Sequence, residues 1–281
     1  MLKSGLNVCF IGGDKRQKYA AEELNKYAMV SATGDCFIGC KGVSYFESPI
    51  KAMHGANVFI LPLPAGKSET ILDFAKLTQH AEKGGAIILG GMFSTYMKDM
   101  MDAHGVVYFD YFDDECFTIK NAYLTAEGAL SIAMNTLETD IKSTRFAIFG
   151  YGRIGTALGE LLSACKAEAT VYARRDDALT TAAERGLMSR HISSDDSLNY
   201  DVIFNTIPSR VITNEQILGL GENTLLIELA SAPGGFDLEI AEQSGVMVIR
   251  AGGLPGKYAP KSAGNAVADT LTKILKREAL L

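Results

Sequence analysis

Tryptophan is absent from this chain of 281 residues, and histidine occurs only four times. The placement of those histidines argues against one chemistry. His54, His80, His104 and His191 all fall outside the glycine- and proline-rich segments where a ligand is expected. Oxidation of alcohols and hydroxy acids usually relies on a histidine acid/base beside the nicotinamide. None stands between Ala230 and Pro260, which disfavours that reaction. Cysteine is also sparse: Cys9, Cys36, Cys40, Cys116 and Cys165 form no CxxC pair and no Cys/His set with zinc-like spacing. They read as free thiols of a reducing compartment, and no metal is expected. No apolar run is long enough to span a bilayer. Met1–Gly5 lead into a strand without a signal-peptide core, so a cytoplasmic location is expected. There is no tail of like charge, and a net charge of -6 argues against nucleic acid as the main partner.

What is present is apolar surface, at 47% of residues, and glycine, at 28 copies. The first suffices for two packed cores in a chain of this length. The glycines concentrate in turns, and one turn is specific. Gly150-Tyr151-Gly152-Arg153-Ile154-Gly155 stands between an apolar run, Arg145–Phe149, and a helix-like stretch, Thr156–Leu162. In that setting GxGxxG is the phosphate-binding turn of a dinucleotide fold. Gly150 permits the tight turn, Gly152 lets a pyrophosphate reach the backbone, and Gly155 lets helix and strand pack closely. The N–H groups at the helix start, around Arg153 and Ile154, face the anion. A ligand-free glycine turn is the plain alternative.

The next strand, Ala169–Ala173, runs into Arg174 and Arg175. An NAD site usually places Asp or Glu here to hold the ribose 2′-hydroxyl. Two guanidinium groups attract a 2′-phosphate instead, so NADP is the expected cofactor. Asp176 and Asp177 follow as the start of a helix. The alternative is a solvated charge cluster.

Short apolar runs alternate with helical patterns throughout, which predicts parallel sheets covered on both faces. Strands are expected at 6–11, 58–61, 86–89, 106–109, 145–149, 169–173, 201–204, 225–229 and 246–249. Helices are expected from Asp14 to about Tyr27, at 68–82, at 125–141 with Thr125 as its cap, and at 262–277. The segment 41–46 is ambiguous. The expected fold class is α/β, with two doubly wound parallel-sheet domains joined by crossing helices, the second a Rossmann dinucleotide-binding domain. The expected boundaries are 1–124 for a substrate-binding domain, 125–141 for a crossing helix and 142–258 for the NADP-binding domain. Residues 259–281 are read as a helix returning to the first domain.

Ligands of open α/β sheets sit beyond the carboxyl ends of the strands. In the first domain those ends are Gly12–Gln17, Leu61–Pro64 and Gly90–Met92. Gly12-Gly13-Asp14-Lys15-Arg16-Gln17 puts Lys15 and Arg16 at a helix N-terminus, a combination suited to a carboxylate. In the second domain, Asn205, Thr206, Ile207 and Pro208 are expected near the cofactor. Ala230 and Ser231 stand where the nicotinamide or its ribose would pass. Glu228 ends an apolar strand, either touching a ligand or facing solvent. The Gly- and Pro-rich segment 252–260, with Gly256 and Lys257, is expected to form a cleft wall.

Taken in order, these motifs resemble one family over nearly the whole chain. They are GGDKRQ, LPLP at 61–64, Asn121 with Thr125-Ala126-Glu127-Gly128, GYGRIG, Ala173-Arg174-Arg175, Asn205–Pro208, Ala230–Gly235, and Gly253–Gly256 with Ala259-Pro260. The chain resembles the dipicolinate synthase A subunits of spore-forming bacteria. The resemblance implies oxidation of dihydrodipicolinate to dipicolinate (pyridine-2,6-dicarboxylate) with NADP+ during sporulation, in the mother-cell cytoplasm. It implies a partner, the flavoprotein-like B subunit of dipicolinate synthase, and is compatible with a homo-oligomer. A small dicarboxylate needs cationic or N–H-rich clamps. Lys15, Arg16, Thr125, Gly256 and Lys257 are the candidate contacts, and Glu127 or Tyr258 the candidate proton acceptor. Two other readings compete. A shikimate-type NADP dehydrogenase also places its substrate domain first, but its amino-terminal Ser-x-Ser motif is missing here. A non-catalytic NADP-binding regulatory protein would need only one of the two sets of equipped loops.

Overall fold

A computed structural model describes residues 5–67, 73–194 and 197–280. The chain divides into two compact units: residues up to Asn121 together with those from Ala259 onward, and Ala122–Tyr258. The first contains β1 (Asn7–Ile11), α1 (Lys15–Leu24), β2 (Met29–Thr33), β3 (Ser44–Tyr45), α2 (Pro49–Met53), β4 (Val58–Ile60), α3 (Phe74–Gly84), β5 (Ile87–Gly90), α4 (Thr95–Ala103) and β6 (Tyr108–Asp110). Helix α5 (Glu115–Thr136) carries the chain into the second unit. There follow β7 (Arg145–Phe149), α6 (Arg153–Ala164), β8 (Glu168–Ala173), α7 (Asp176–Glu184), β9 (Met188–His191) and β10 (Val202–Asn205). The unit continues with α8 (Asn214–Leu218), β11 (Leu225–Glu228), α9 (Leu238–Gln243), β12 (Met247–Arg250) and α10 (Leu254–Tyr258). Helix α11 (Pro260–Arg277) belongs to the first unit.

Each unit holds a six-stranded parallel sheet, in the orders β3-β2-β1-β4-β5-β6 and β12-β11-β10-β7-β8-β9. Counted from its own first strand, each has the same order, with the reversal between first and fourth strands that marks a doubly wound sheet. This is the α/β architecture expected from the sequence. Parallel strands are buried on both faces, so alternate residues feed different cores. Val8 and Phe10 pack with Ala20 and Leu24 of α1 and Val267 and Leu271 of α11. Cys9 and Ile11 face Leu77 of α3 and Met101 of α4. In the second unit Phe146 and Ile148 pack on Ala129 of α5 and Leu158 of α6, while Ala147 and Phe149 face Ile217 of α8 and Ala241 of α9. All five cysteines are free. Burial pushes the Cys9 and Cys36 thiols up to about 12, so neither is a nucleophile at neutral pH. No helix among the described residues is long and apolar enough to cross a membrane.

The contact of α11 with α1 is close because of one residue. A Cβ at Gly264 would lie 2.6 Å from the Arg16 carbonyl oxygen and 2.5 Å from Tyr19 Cβ. Backbone cannot yield as a side chain can. Gly264→Val is expected to lower stability by roughly 1–3 kcal/mol, read by thermal unfolding. An unchanged midpoint would mean that the helices separate freely.

Three expectations change. Helix α5 begins at Glu115, ten residues before Thr125, and ends at Thr136 rather than Ile141. Asp114 accepts the Phe117 N–H at 3.0 Å and supplies the start. The aromatic and β-branched residues from Phe117 to Tyr123 masked the helical period. Asp140 then accepts the N–H groups of Lys142 and Ser143, which turns the chain toward β7. Helix α1 stops at Leu24, not Tyr27. Residues 254–258, expected as loop, form α10. The expected helix start at Ser68 lies outside the described residues.

Candidate functional site

The turn from β7 to α6 explains two of its three glycines internally. Gly150 has φ +96°, and a Cβ there would stand 2.4 Å from Thr206 Oγ1. Its N–H donates to the Tyr172 carbonyl at 2.8 Å, which fixes the turn against β8. A Cβ at Gly155 would meet the Gly150 carbonyl oxygen at 2.0 Å. Gly152 is different. Its φ of -85° and ψ of -162° suit any residue. A Cβ there meets nothing within 4 Å. Nothing inside the protein asks for glycine at 152. The bare backbone leaves open space at the N-terminus of α6, whose cap residue offers no side chain to the first N–H groups. Arg153 and Ile154 form the first turn there.

At the end of β8, Ala173 is buried and Arg174 and Arg175 are exposed. Arg175 donates through Nε and Nη2 to the Asp177 carboxylate, both at 2.9 Å. The pair is solvated, with side-chain exposures of 72% and 70%, and a surface pair of this kind contributes little. An incoming phosphate can displace it.

The ends of β10 and β11 are locked together. Glu228 neither faces solvent nor is left for a ligand. It is buried, and accepts from Asn205 Nδ2 at 2.7 Å, Ala230 N at 2.8 Å and Gly235 N at 2.8 Å. Asn205, fully buried, also donates to the Ile207 carbonyl at 2.9 Å and accepts from Ile207 N at 3.2 Å. A Cβ at Gly235 would sit 2.3 Å from Asn205 Nδ2, so the glycine is needed to admit the amide. Thr206 Oγ1 donates to the Phe149 carbonyl at 2.9 Å. The segments 205–208 and 230–235 are thus held by one buried Asn–Glu pair, and Pro208 and Ser231 are exposed on them. A carboxylate closing an apolar strand, followed by Gly234-Gly235, was the sequence signal for this role. All the proposed cofactor residues therefore sit at the carboxyl edge of one sheet.

The proposed substrate residues are divided between the units. On α1, Lys15 is exposed. Arg16 is not a free cation. Its side chain is 11% exposed, and it donates to both oxygens of Asp14 and, through Nη2, to the Leu63 carbonyl at 2.7 Å. Asp14 also accepts Arg16 N at 2.9 Å and so caps α1 itself. The helix N-terminus expected to receive a substrate carboxylate is satisfied by the chain's own. Burial raises the Asp14 pKa, but the hydrogen bonds and charge of Arg16 outweigh it and hold the group below the usual carboxylate range. In the second unit, Gly128 lets α10 approach α5: a Cβ there would meet Leu254 Cβ at 3.0 Å and Tyr258 Cδ2 at 3.2 Å. This brings Tyr258 beside the turn that carries buried Thr125 and exposed Glu127. Gly256 and exposed Lys257 lie on the same short helix.

A family model described as the N-terminal domain of the dipicolinate synthase A subunit matches residues 7–112. The chain is similar to the dipicolinate synthase A subunit of Bacillus halodurans, whose crystal structure it matches with a TM-score of 0.85 at 31% identity, over 98% of this chain and 99% of that one. It is 27% identical to the dipicolinate synthase A subunit of Bacillus subtilis (strain 168), over 97% of this chain and 96% of that protein. A transhydrogenase from Sinorhizobium meliloti shares the fold, with a TM-score of 0.73 at 14% identity over 97% of this chain and 94% of that one.

Proposed function

This chain belongs to the family of dipicolinate synthase A subunits, and from that premise we propose that it oxidises dihydrodipicolinate to dipicolinate with NADP+. The reading is supported above all by Gly152, where the open space at the N-terminus of α6 leaves a pyrophosphate room to reach the backbone. Gly150, Gly152 and Gly155, with the N–H groups of Arg153 and Ile154, hold the pyrophosphate. Arg174 and Arg175 take the 2′-phosphate. Asn205–Pro208 with Ala230 and Ser231 line the nicotinamide half. When bound, the cofactor supplies a hydride acceptor. The protein's own tasks are to hold a ring with two carboxylates and to take one ring proton as it becomes aromatic. Lys15 and Lys257 are exposed cations, each suited to a substrate carboxylate. Glu127 or Tyr258 takes the proton. The flavoprotein-like B subunit is the partner, in the mother cell of a sporulating bacterium.

The decisive assay mixes the purified chain with NADP+ and freshly generated dihydrodipicolinate. Dipicolinate, identified by mass, is expected in step with NADPH. No product with the B subunit added, while NADPH still binds, would overturn the substrate assignment. The clamp is tested separately. Lys15→Ala is expected to raise KM about tenfold with unchanged thermal stability, as loss of a single charged contact does. Arg16→Ala is expected to lower both substrate use and stability, because it strands Asp14 and the Leu63 carbonyl. Normal stability in Arg16→Ala would show that its buried bonds are dispensable.

A further inference from the structure

Strand β9 pairs with β8 in parallel register, with His191 opposite Ala173. Ile192 N donates to the Ala173 carbonyl at 3.0 Å and keeps the pairing to the strand end. Neighbouring strands stand about 4.8 Å apart, so an imidazole at 191 is the side-chain neighbour of whatever lies over the end of β8. The residue at that end is a methyl, Ala173, where a carboxylate would otherwise hold a ribose 2′-hydroxyl. The histidine ring is already oriented. Ser193 Oγ lies 2.7 Å from His191 Nδ1, and the Ser193 backbone N–H donates to the same nitrogen at 3.3 Å. A backbone N–H can only donate, so Nδ1 is the acceptor and the proton of the neutral ring stands on Nε2. The turn is closed by Ser194, whose N and Oγ both donate to the His191 carbonyl, at 3.0 and 2.7 Å. His191 is exposed, and its Nε2 bonds no described residue.

We infer that His191, oriented by Ser193, is a third ligand of the 2′-phosphate, an Nε2–H donor on β9 facing the same oxygens as Arg174 and Arg175. The inference rests on the NADP reading above and adds a specificity residue to it. Ala173 brings no carboxylate to the strand end, the two guanidinium groups supply charge from one side, and the imidazole supplies a directed donor from the neighbouring strand. Ser193 is a positioning residue, since it acts through the ring.

Fluorescence titration with NADPH and with NADH tests this in wild type, His191→Ala and Ser193→Ala. Wild type is expected to prefer NADPH. His191→Ala is expected to weaken NADPH by roughly tenfold or more and to leave NADH within about twofold, the loss of one hydrogen bond to a charged group. Ser193→Ala should weaken NADPH by less, because the ring is kept but released. Both residues lie on the surface, so the fold is retained. A wild type without preference would overturn the NADP reading, and this site with it. A wild type with a preference that His191→Ala leaves intact, or a variant that loses both cofactors equally, would overturn the His191 inference alone.

Discussion

Gly152→Asp is expected to make the protein slightly more stable and to weaken NADPH binding by more than about 100-fold. Helix α6 starts at Arg153 with no side-chain cap. Asp is among the best cap residues, worth a few tenths of a kcal/mol over glycine. The space is there, because a Cβ at 152 meets nothing within 4 Å. The first unit already uses this solution. Asp14 stands between β1 and α1 where Gly152 stands between β7 and α6, and it accepts the Arg16 N–H at 2.9 Å. In the second unit the same carboxylate would occupy the pyrophosphate position. Like charges set against each other cost several kcal/mol, so affinity should fall by more than about 100-fold. Calorimetry and NADPH titration on one sample read both effects. Retained NADPH affinity would place the phosphates elsewhere. The comparison also predicts one cofactor per chain. The first unit shares the strand order, but Asp14 and Gln17 replace the second and third glycines of the turn.

Glu228→Leu is expected to cost the second unit about 4 kcal/mol, near the top of what single substitutions do. The carboxylate is buried, and three donors converge on it: Asn205 Nδ2, Ala230 N and Gly235 N. Leucine fills similar volume and satisfies none of them. Glu228→Gln should fall between, since one oxygen becomes an NH2 group facing an N–H. Both variants should weaken NADPH, because 205–208 and 230–235 lose their common anchor. Urea unfolding followed by probes in each unit is the measurement. A loss below about 1 kcal/mol would mean the donors find other partners.

Much of this was legible from residues alone. Buried parallel strands such as 145–149 and 202–205 are apolar runs, and GYGRIG carries its own geometry. What stayed hidden depends on distant residues. The tether of Arg16 ends on Leu63, 47 positions away, and Glu228 reaches Asn205 across 23. No local pattern signals either. Thr125 resembles a cap because the stretch before it mixes aromatic and β-branched residues. Asp114 is the better cap, and its helix absorbs that stretch. His191 lies outside the glycine-rich loops, and only the register of β9 on β8 puts it beside Ala173.

The first unit is completed by the segment that follows the second. Helix α11 supplies Val267, Leu271 and Leu275 to the core that Val8 and Phe10 begin. A ribosome working from the amino end therefore releases the second unit whole while the first still lacks a wall, which inverts the usual order in which domains mature. The growing chain carries an open apolar face on α1 until residue 260 and beyond emerge. A chain arrested at Tyr258 should consequently hold a native second unit attached to an unfinished first one, and should be the form that chaperones retain.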